Sequence, residues 1–277
     1  MKNSIKASVL IIMLLAACVF LSGCTTETPT ATPTAEPTAT AEPAGFTTLI
    51  PGVLSVATEA HYPPFENINT TTNDFEGFDI DLMNEIAKEL GLEVQYTDHA
   101  FDTIITAVQA KKFDCAISAF TITGERQKMI DFTDWYYESK GQVISVKADD
   151  DSIKTAEDLV GKKVAVQLGT VGEMVTRNIT GINQGDIQSY ASMGEAFMAL
   201  KKGEVVAVIG DHPVSYPYIK KYPGDYKFVD TPMSEVEYFG IVVNKDNPGL
   251  TAAINDAIAK IKADGRYDVM YDKWFAQ

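Results

Sequence analysis

FDIDLMNEIAKELGLEVQYT, residues 78–97, decides the fold. Ile80, Met83, Ala87 and Leu90 recur at helical spacing and share one face, so a helix is predicted from Phe78 to Leu90. Gly91 supplies its C-terminal stop, and LEVQYT (92–97) then reads as a strand. Working outward, VLSVAT (53–58) precedes the helix, while a helix over 101–111 and the strand DCAIS (114–118) follow. The order βαβαβ implies a parallel sheet. A second series repeats the pattern: KKVAVQ (162–167), a helix from about Thr170, IQSY (187–190), a helix over 192–202, VVAVIG (205–210) and a helix entered near His212-Pro213. FGIVVN (239–244) reads as one further strand, followed by helices near 248–264 and 266–276. Returning that segment to the first unit gives lobe 1 as 46–138 plus 239–277 and lobe 2 as 139–238. The chain then crosses between lobes twice, near 138–142 and 235–239, which makes a hinge. Open α/β sheets hold ligands beyond the carboxyl ends of their strands, so two such lobes would enclose a ligand in the cleft between them.

The chain's beginning has a different character. Lys2 and Lys6 precede an apolar run from Ala7 to Leu21, which ends in Leu-Ser-Gly-Cys at 21–24. That run is shorter than the roughly 20 residues a spanning helix needs, so 1–23 reads as a signal peptide, with Cys24 the lipidated first residue of the mature chain. The competing reading is a single-pass anchor with a buried cysteine. Thr25 to Ala44 is TTETPTATPTAEPTATAEPA, without aromatic or large aliphatic residues, and cannot bury a core. With Cys24 it makes a disordered stalk over 24–45. At ~3.1 Å per residue in polyproline II, about twenty residues reach on the order of 60 Å, and its threonines are candidate O-glycosylation sites. Loss of Lys2 and Lys6 takes the formal charge from −15 to −17, which disfavours nucleic acid and anionic membrane surfaces as partners. Cys115 is then the one cysteine left in the folded part. No disulfide framework or metal cluster follows from it, and it reads as a small core residue.

ISAFTITGERQKMIDFT (117–133) sets Ser118 at a strand end, Thr121 in the loop beyond, and Arg126 where the next helix opens. Arginine's fork matches a carboxylate, and small hydroxyls satisfy the remaining lone pairs. The competing reading pairs Arg126 with Glu125 or Asp131 and leaves the threonines as helix caps. VQLGTVGE (166–173) adds a strand, a glycine and a helix start, freeing the amides near Thr170 and Val171 for an anion. VIGDHP (208–213) puts Asp211 at another strand end, where it either caps the following helix or meets an ammonium. A carboxylate site beside an ammonium site describes an α-amino acid. VATEAHYPPFE (56–66) ends the first strand at Glu59, with Tyr62 three residues on, and Phe101 begins a helix after the next strand. An acid with two aromatic faces suits a cationic or amide-bearing side chain. The alternative for Tyr62 and Phe101 is core packing.

Over nearly all of 50–277 the chain resembles the extracellular solute-binding proteins, family 3, of polar amino-acid ABC transporters. The resemblance rests on VATEAHYPPFE, GFDIDLMNEIAKELG (77–91), ISAFTITGERQKMIDFT, VAVQLGT (164–170) and DGRYDVMYDKWF (264–275). It implies an α/β chain with the type II periplasmic-binding-protein fold, two lobes on a two-strand hinge. It implies that Arg126 and Thr121 bind the α-carboxylate, helped by the amides of Thr170 and Val171. Asp211 and groups at Ser118 and Ala119 would bind the α-ammonium, and Glu59, Tyr62, Phe101 and Gln167 would read the side chain. The first-strand acid is often aspartate in the family and here is the longer Glu59. Gln167 stands where glutamine binders carry lysine and some basic-amino-acid binders leucine. With no cation there, the expected ligand is arginine or lysine first and glutamine second, delivered to an ABC permease by a lipid-anchored extracytoplasmic monomer.

Two other classes compete. A cyclohexadienyl dehydratase-like enzyme on the same fold would need an acid placed to protonate a leaving group, and beyond Glu59 and Asp211 none is assigned. His61, His99 and His212 sit near loops or helix edges with no nucleophile motif beside them, so no catalytic residue, cofactor or metal is expected. A sensory receptor would need a transmembrane segment after Gln277.

Overall fold

The computed structural model describes residues 45–276. The expected signal peptide, Cys24 and nearly all of the stalk lie outside the described residues. The chain begins with β1 (Val53–Thr58), then β2 (His61–Tyr62), β3 (Glu66–Ile68), β4 (Phe75–Glu76), α1 (Phe78–Leu90), β5 (Glu93–Asp98), α2 (Phe101–Gln109), β6 (Cys115–Ala116), α3 (Gly124–Met129), β7 (Asp131–Phe132) and β8 (Tyr137–Ser139). It continues through β9 (Gln142–Lys147), β10 (Val164–Gln167), α4 (Val171–Arg177), β11 (Ile187–Tyr190), α5 (Met193–Lys202), β12 (Ala207–Asp211), α6 (His212–Lys221) and β13 (Tyr226–Phe228). The last elements are β14 (Glu237–Phe239), β15 (Val242–Val243), α7 (Pro248–Ala263) and α8 (Arg266–Phe275). No described helix is long and apolar enough to cross a membrane.

Two five-stranded sheets organise these elements into two α/β lobes, in the orders β5-β1-β6-β15-β7 and β11-β10-β12-β9-β13. β1 runs parallel to both β5 and β6, and β10 runs parallel to both β11 and β12. Central parallel strands are covered on both faces by helices, which is why VLSVAT and VAVQ read as nearly continuous apolar runs. In the first lobe Leu54 and Val56 pack with Phe78, Leu82, Met83 and Ile86 of α1. In the second, Ile144, Val146, Val164, Val166 and Ile209 form the corresponding core. Each such side chain contributes about 1.5–3 kcal/mol on burial. Every residue of the predicted apolar face of α1 is buried, and Gly91 closes that helix in the left-handed conformation.

The C-terminal helices fold back on the first lobe. Phe275 packs 5.2 Å from Phe65 and from Phe78 and 5.0 Å from Tyr137, while Arg266 bridges Glu85 and Glu89 of α1. FGIVVN is divided, contrary to the single strand expected. Phe239 pairs with Tyr137 in the β8–β14 ribbon, whereas Val242 enters the first sheet between Ala116 and Phe132. Gly240 turns the chain between them, its N–H donating to Phe120 O. The ribbon formed by β8 and β14 is the pair of strands that joins the lobes. Just past β8, Gly141 has φ +80°, and a Cβ there would lie 2.2 Å from Glu235 O, so the two crossings touch through a residue that must be glycine.

One side chain of α1 reaches the strand ends directly. Asp79 is fully buried and its Oδ2 accepts from Ala119 N at 2.9 Å and from Tyr136 Oη at 2.8 Å. Asp79→Ala strands both donors, each at a cost of about 1–3 kcal/mol. The expected result is a urea midpoint lowered by the equivalent of roughly 3 kcal/mol with an unchanged m-value.

Candidate ligand-binding cleft

Thr123 caps α3, its hydroxyl accepting from Arg126 N at 3.2 Å, and this first turn sets the arginine's direction. The guanidinium donates to Thr121 O at 2.8 Å in its own lobe and to Gly169 O at 3.1 Å in the other. It is 8% exposed and lies 5.5 Å from the centroids of both Phe101 and Phe120, two rings stacked at 4.7 Å. The alternative pairing with Asp131 is not made, since that carboxylate accepts from Phe132 N and Thr251 Oγ1. Among the described residues Arg126 takes part in no ion pair. Burial lowers its pKa, and Asp211, Tyr62 and Glu237 oppose that from a distance. Two carbonyls orient the fork without cancelling its charge, and a buried charge left so is costly.

Gly169 brings the second lobe onto the first. It has φ +78°, and a Cβ would lie 2.9 Å from the backbone of Asp102. Thr170 then caps α4, accepting from Glu173 N at 3.2 Å and donating to Gln167 O at 2.8 Å. Its own amide turns back to Gln167 O at 3.4 Å, so it is less free than the sequence suggested. Val171 follows as the first residue of α4 and is buried.

Asp211 occupies the cap position of α6 but makes no cap hydrogen bond. Its Oδ2 accepts from Tyr62 Oη at 2.6 Å, across the lobes, and its Oδ1 from Gln142 Nε2 at 2.8 Å. It is 4% exposed, and burial first, then the charge of Glu237, push its pKa up to about 7. Gln142 Nε2 also donates to Glu237 Oε2 at 2.9 Å, and Thr121 Oγ1 donates to the same oxygen at 3.3 Å.

Glu59, just beyond β1, is 5% exposed and is pushed up to about 7, chiefly by burial. Its Oε2 accepts from Gln167 Nε2 at 3.2 Å, and His61 Nδ1 lies 3.3 Å from Oε1. The sequence reading set Glu59 between two aromatic faces, Tyr62 and Phe101. Instead Gln167 and the half-exposed His61 hold it, while Tyr62 bonds to Asp211 and Phe101 stacks beside Arg126. Gln167 also donates to Ala191 O at 3.1 Å, and its Oε1 is buried without a partner among the described residues. Ser118 Oγ accepts from Glu59 N at 3.1 Å and donates to Glu66 Oε1 at 2.7 Å, so its hydroxyl is engaged inside the first lobe. Ala119 adopts φ +45°, its N–H held by Asp79.

Four residues that hydrogen-bond to the candidate residues escaped the sequence reading: Glu66, Asp79, Gln142 and Glu237. Glu66 stood inside VATEAHYPPFE and Asp79 on the polar side of α1, so both were visible as acids at the edge of motifs. Gln142 and Glu237 carried no local signal, because they lie 95 residues apart and meet only where the crossings do.

The assembled geometry is a closed interlobe cleft lined at strand ends by one buried cation and several buried carboxyls. The description "Bacterial extracellular solute-binding proteins, family 3" belongs to the family model that matches residues 54–277. ABC transporter arginine-binding protein 1 of Escherichia coli (strain K12) is 36% identical over 230 residues, covering 81% of this chain and 91% of that one. A solved ancestral arginine-binding protein bound to arginine superposes with TM-score 0.75 at 43% identity, covering 81% of this chain and 98% of that one. An ancestral arginine-binding protein bound to glutamine gives TM-score 0.75 at 42% identity, covering 82% and 100%. The two-lobed architecture is that of the type II periplasmic amino-acid-binding proteins, and the chain belongs to the bacterial extracellular solute-binding proteins, family 3.

Proposed function

We propose that this protein captures a polar L-amino acid, arginine or lysine first and glutamine second, between its lobes and delivers it to an ABC permease. The observation that carries the reading is Arg126, a buried guanidinium oriented by carbonyls of both lobes, with the carboxyl of Asp211 in the opposite lobe. An α-carboxylate neutralises the first and an α-ammonium the second. Thr121 and the amides of Thr170 and Val171 assist the carboxylate; groups at Ser118 and Ala119 assist the ammonium. Tyr62 and Phe101 flank the side chain, and its far end meets Glu59 and Gln167. Those two present acceptors, a carboxyl oxygen and the unpartnered Gln167 Oε1, so the ligand supplies donors as a guanidinium, an ammonium or an amide. Relatives named for arginine binding, one of them solved with arginine and another with glutamine, support that order.

In this reading lobe 1 comprises 46–138 and 239–277, lobe 2 comprises 139–238, and the mature chain is a monomer tethered through lipidated Cys24 and the 24–45 stalk. Carboxyls raised to about 7 also suit a general acid, which keeps the dehydratase-like alternative in view. Turnover of a cyclohexadienyl substrate by the purified protein would decide for it.

Arg126→Ala should cost on the order of 2–5 kcal/mol in calorimetric affinity for any α-amino acid; near-normal binding by a folded variant removes the assignment. Glu59→Gln should weaken arginine at least about tenfold and glutamine less. The raised carboxyls also fix the sign of the pH dependence. Glu59 and Asp211 hold protons in the folded state that they release near 4.5 and 3.8 ordinarily. Their contribution to stability is therefore full below those values and is lost as pH rises to about 7. Affinity for a cationic ligand runs the opposite way, rising through about pH 7 as both carboxyls ionise. Melting curves and calorimetry between pH 5 and 8 check both slopes.

A further inference from the structure

Glu237 enters neither the family-based site nor the roles assigned above. It lies on β14, a crossing strand, and its carboxylate meets Gln142 and Thr121 beside Asp211. Its Oε1 accepts from Ser234 Oγ at 2.6 Å, and Ser234 Oγ in turn accepts from Gln142 N at 2.8 Å. Its Oε2 accepts from Gln142 Nε2 and Thr121 Oγ1. Gln142 is fully buried, and its one amide nitrogen serves both Glu237 and Asp211. Its Oε1 has no partner among the described residues and lies 3.0 Å from where a Cβ on Gly172 would stand. A single amide nitrogen thus bridges two carboxyls, one from the crossing strand and one from the second lobe.

We propose that Glu237 and Gln142 are positioning residues that make the hinge end of the cleft selective for the ligand's α-ammonium, with Glu237 as a second negative charge behind Asp211. This rests on the amino-acid reading above. Once the ligand's α-carboxylate pairs with Arg126, Asp211 and Glu237 are left as two negative groups with no countercharge among the described residues of the cleft, and the α-ammonium supplies one. Gln142 keeps both carboxyls oriented by donating to each, and Ser234 anchors Glu237 and the start of β9 together. Tyr62, Tyr137 and Arg126 are the other titratable groups that act on or feel Asp211 from β2, β8 and α3. The raised value of Asp211, to which Glu237 is the second contributor after burial, agrees with two carboxyls acting on one site.

The test compares arginine with 5-guanidinopentanoic acid, which is arginine without its α-amino group, by displacement calorimetry on wild type and Glu237→Gln. The variant is isosteric and keeps one oxygen, which accepts from Ser234 or from Gln142 but not from both; a melting curve checks its fold. The expected result is a loss of about tenfold on arginine and little change on the deaminated compound. A second measurement follows arginine affinity against pH in a Glu59→Gln background, so that Asp211 is the titrating carboxyl. Adding Glu237→Gln should move the midpoint to lower pH. Glu237→Asp, which retains the charge, should recover most of the affinity, and it carries the comparison if the glutamine variant does not fold. Equal losses on both compounds, or unchanged arginine affinity with an unmoved midpoint, overturn the proposal and leave the amino-acid reading standing. A wild type that binds no α-amino acid overturns both.

Discussion

A guanidinium shut away from water without a countercharge is the constraint on which the rest of this molecule turns. Arg126 cannot be relieved by rotating outward, because Phe101 and Phe120 lie under it and carbonyls from two lobes grip its fork. The cap at Thr123, the left-handed Gly169 and the strand-end loops all serve to keep it there. The cost of such burial, several kcal/mol for an isolated ion, is what the anion of the proposed ligand would offset. A strongly acidic chain thus concentrates a positive demand at one point.

Around that point the protein uses carboxyls in two ways. Asp211, Glu237 and Glu59 face the cleft, whereas Glu66 and Asp79 stand behind it. The second pair is fully buried, and Glu66 Oε2 and Asp79 Oδ1 have no hydrogen-bond partner among the described residues. Burial followed by the neighbour Asp79 raises Glu66 well above the usual range, and Asp79 is itself pushed up to about 6. Each carboxyl accepts from a different part of the site, Glu66 from Ser118 Oγ and Asp79 from Ala119 N. The left-handed Ala119, a conformation that costs of order 1–3 kcal/mol outside glycine, is held by that arrangement.

Much of this was legible because it is periodic. Ile80, Met83, Ala87 and Leu90 announced α1, and the runs around Val56 and Val166 announced buried parallel strands. What escaped was whatever depends on a distant partner. QVISVK (142–147) pairs with both β12 and β13 in the second sheet, but it follows directly on a crossing and the sequence reading assigned it no element. FGIVVN looked uniform, and only Gly240 and its contact with Phe120 reveal that half of it belongs to the hinge. In the cleft, Asp211 and Glu59 were readable as lone charges at strand ends and Arg126 as one where a helix opens. Their partners were not: Tyr62 finds Asp211 across 149 residues, and no local pattern encodes a contact of that range.

Cys115 has a practical bearing. It is fully buried in β6, between β1 and β15, and burial pushes its thiol pKa far up, so it is neither reachable nor ionised near neutrality. It is also the only cysteine among the described residues. A cysteine engineered at the rim of the cleft in the folded part, at Ser192 for instance, would therefore react with a maleimide dye without competition from the core. Because the rim residues of the two lobes approach one another there, the dye's surroundings would change with lobe separation. The fold thus provides the silent background that a fluorescent sensor for its own ligand requires.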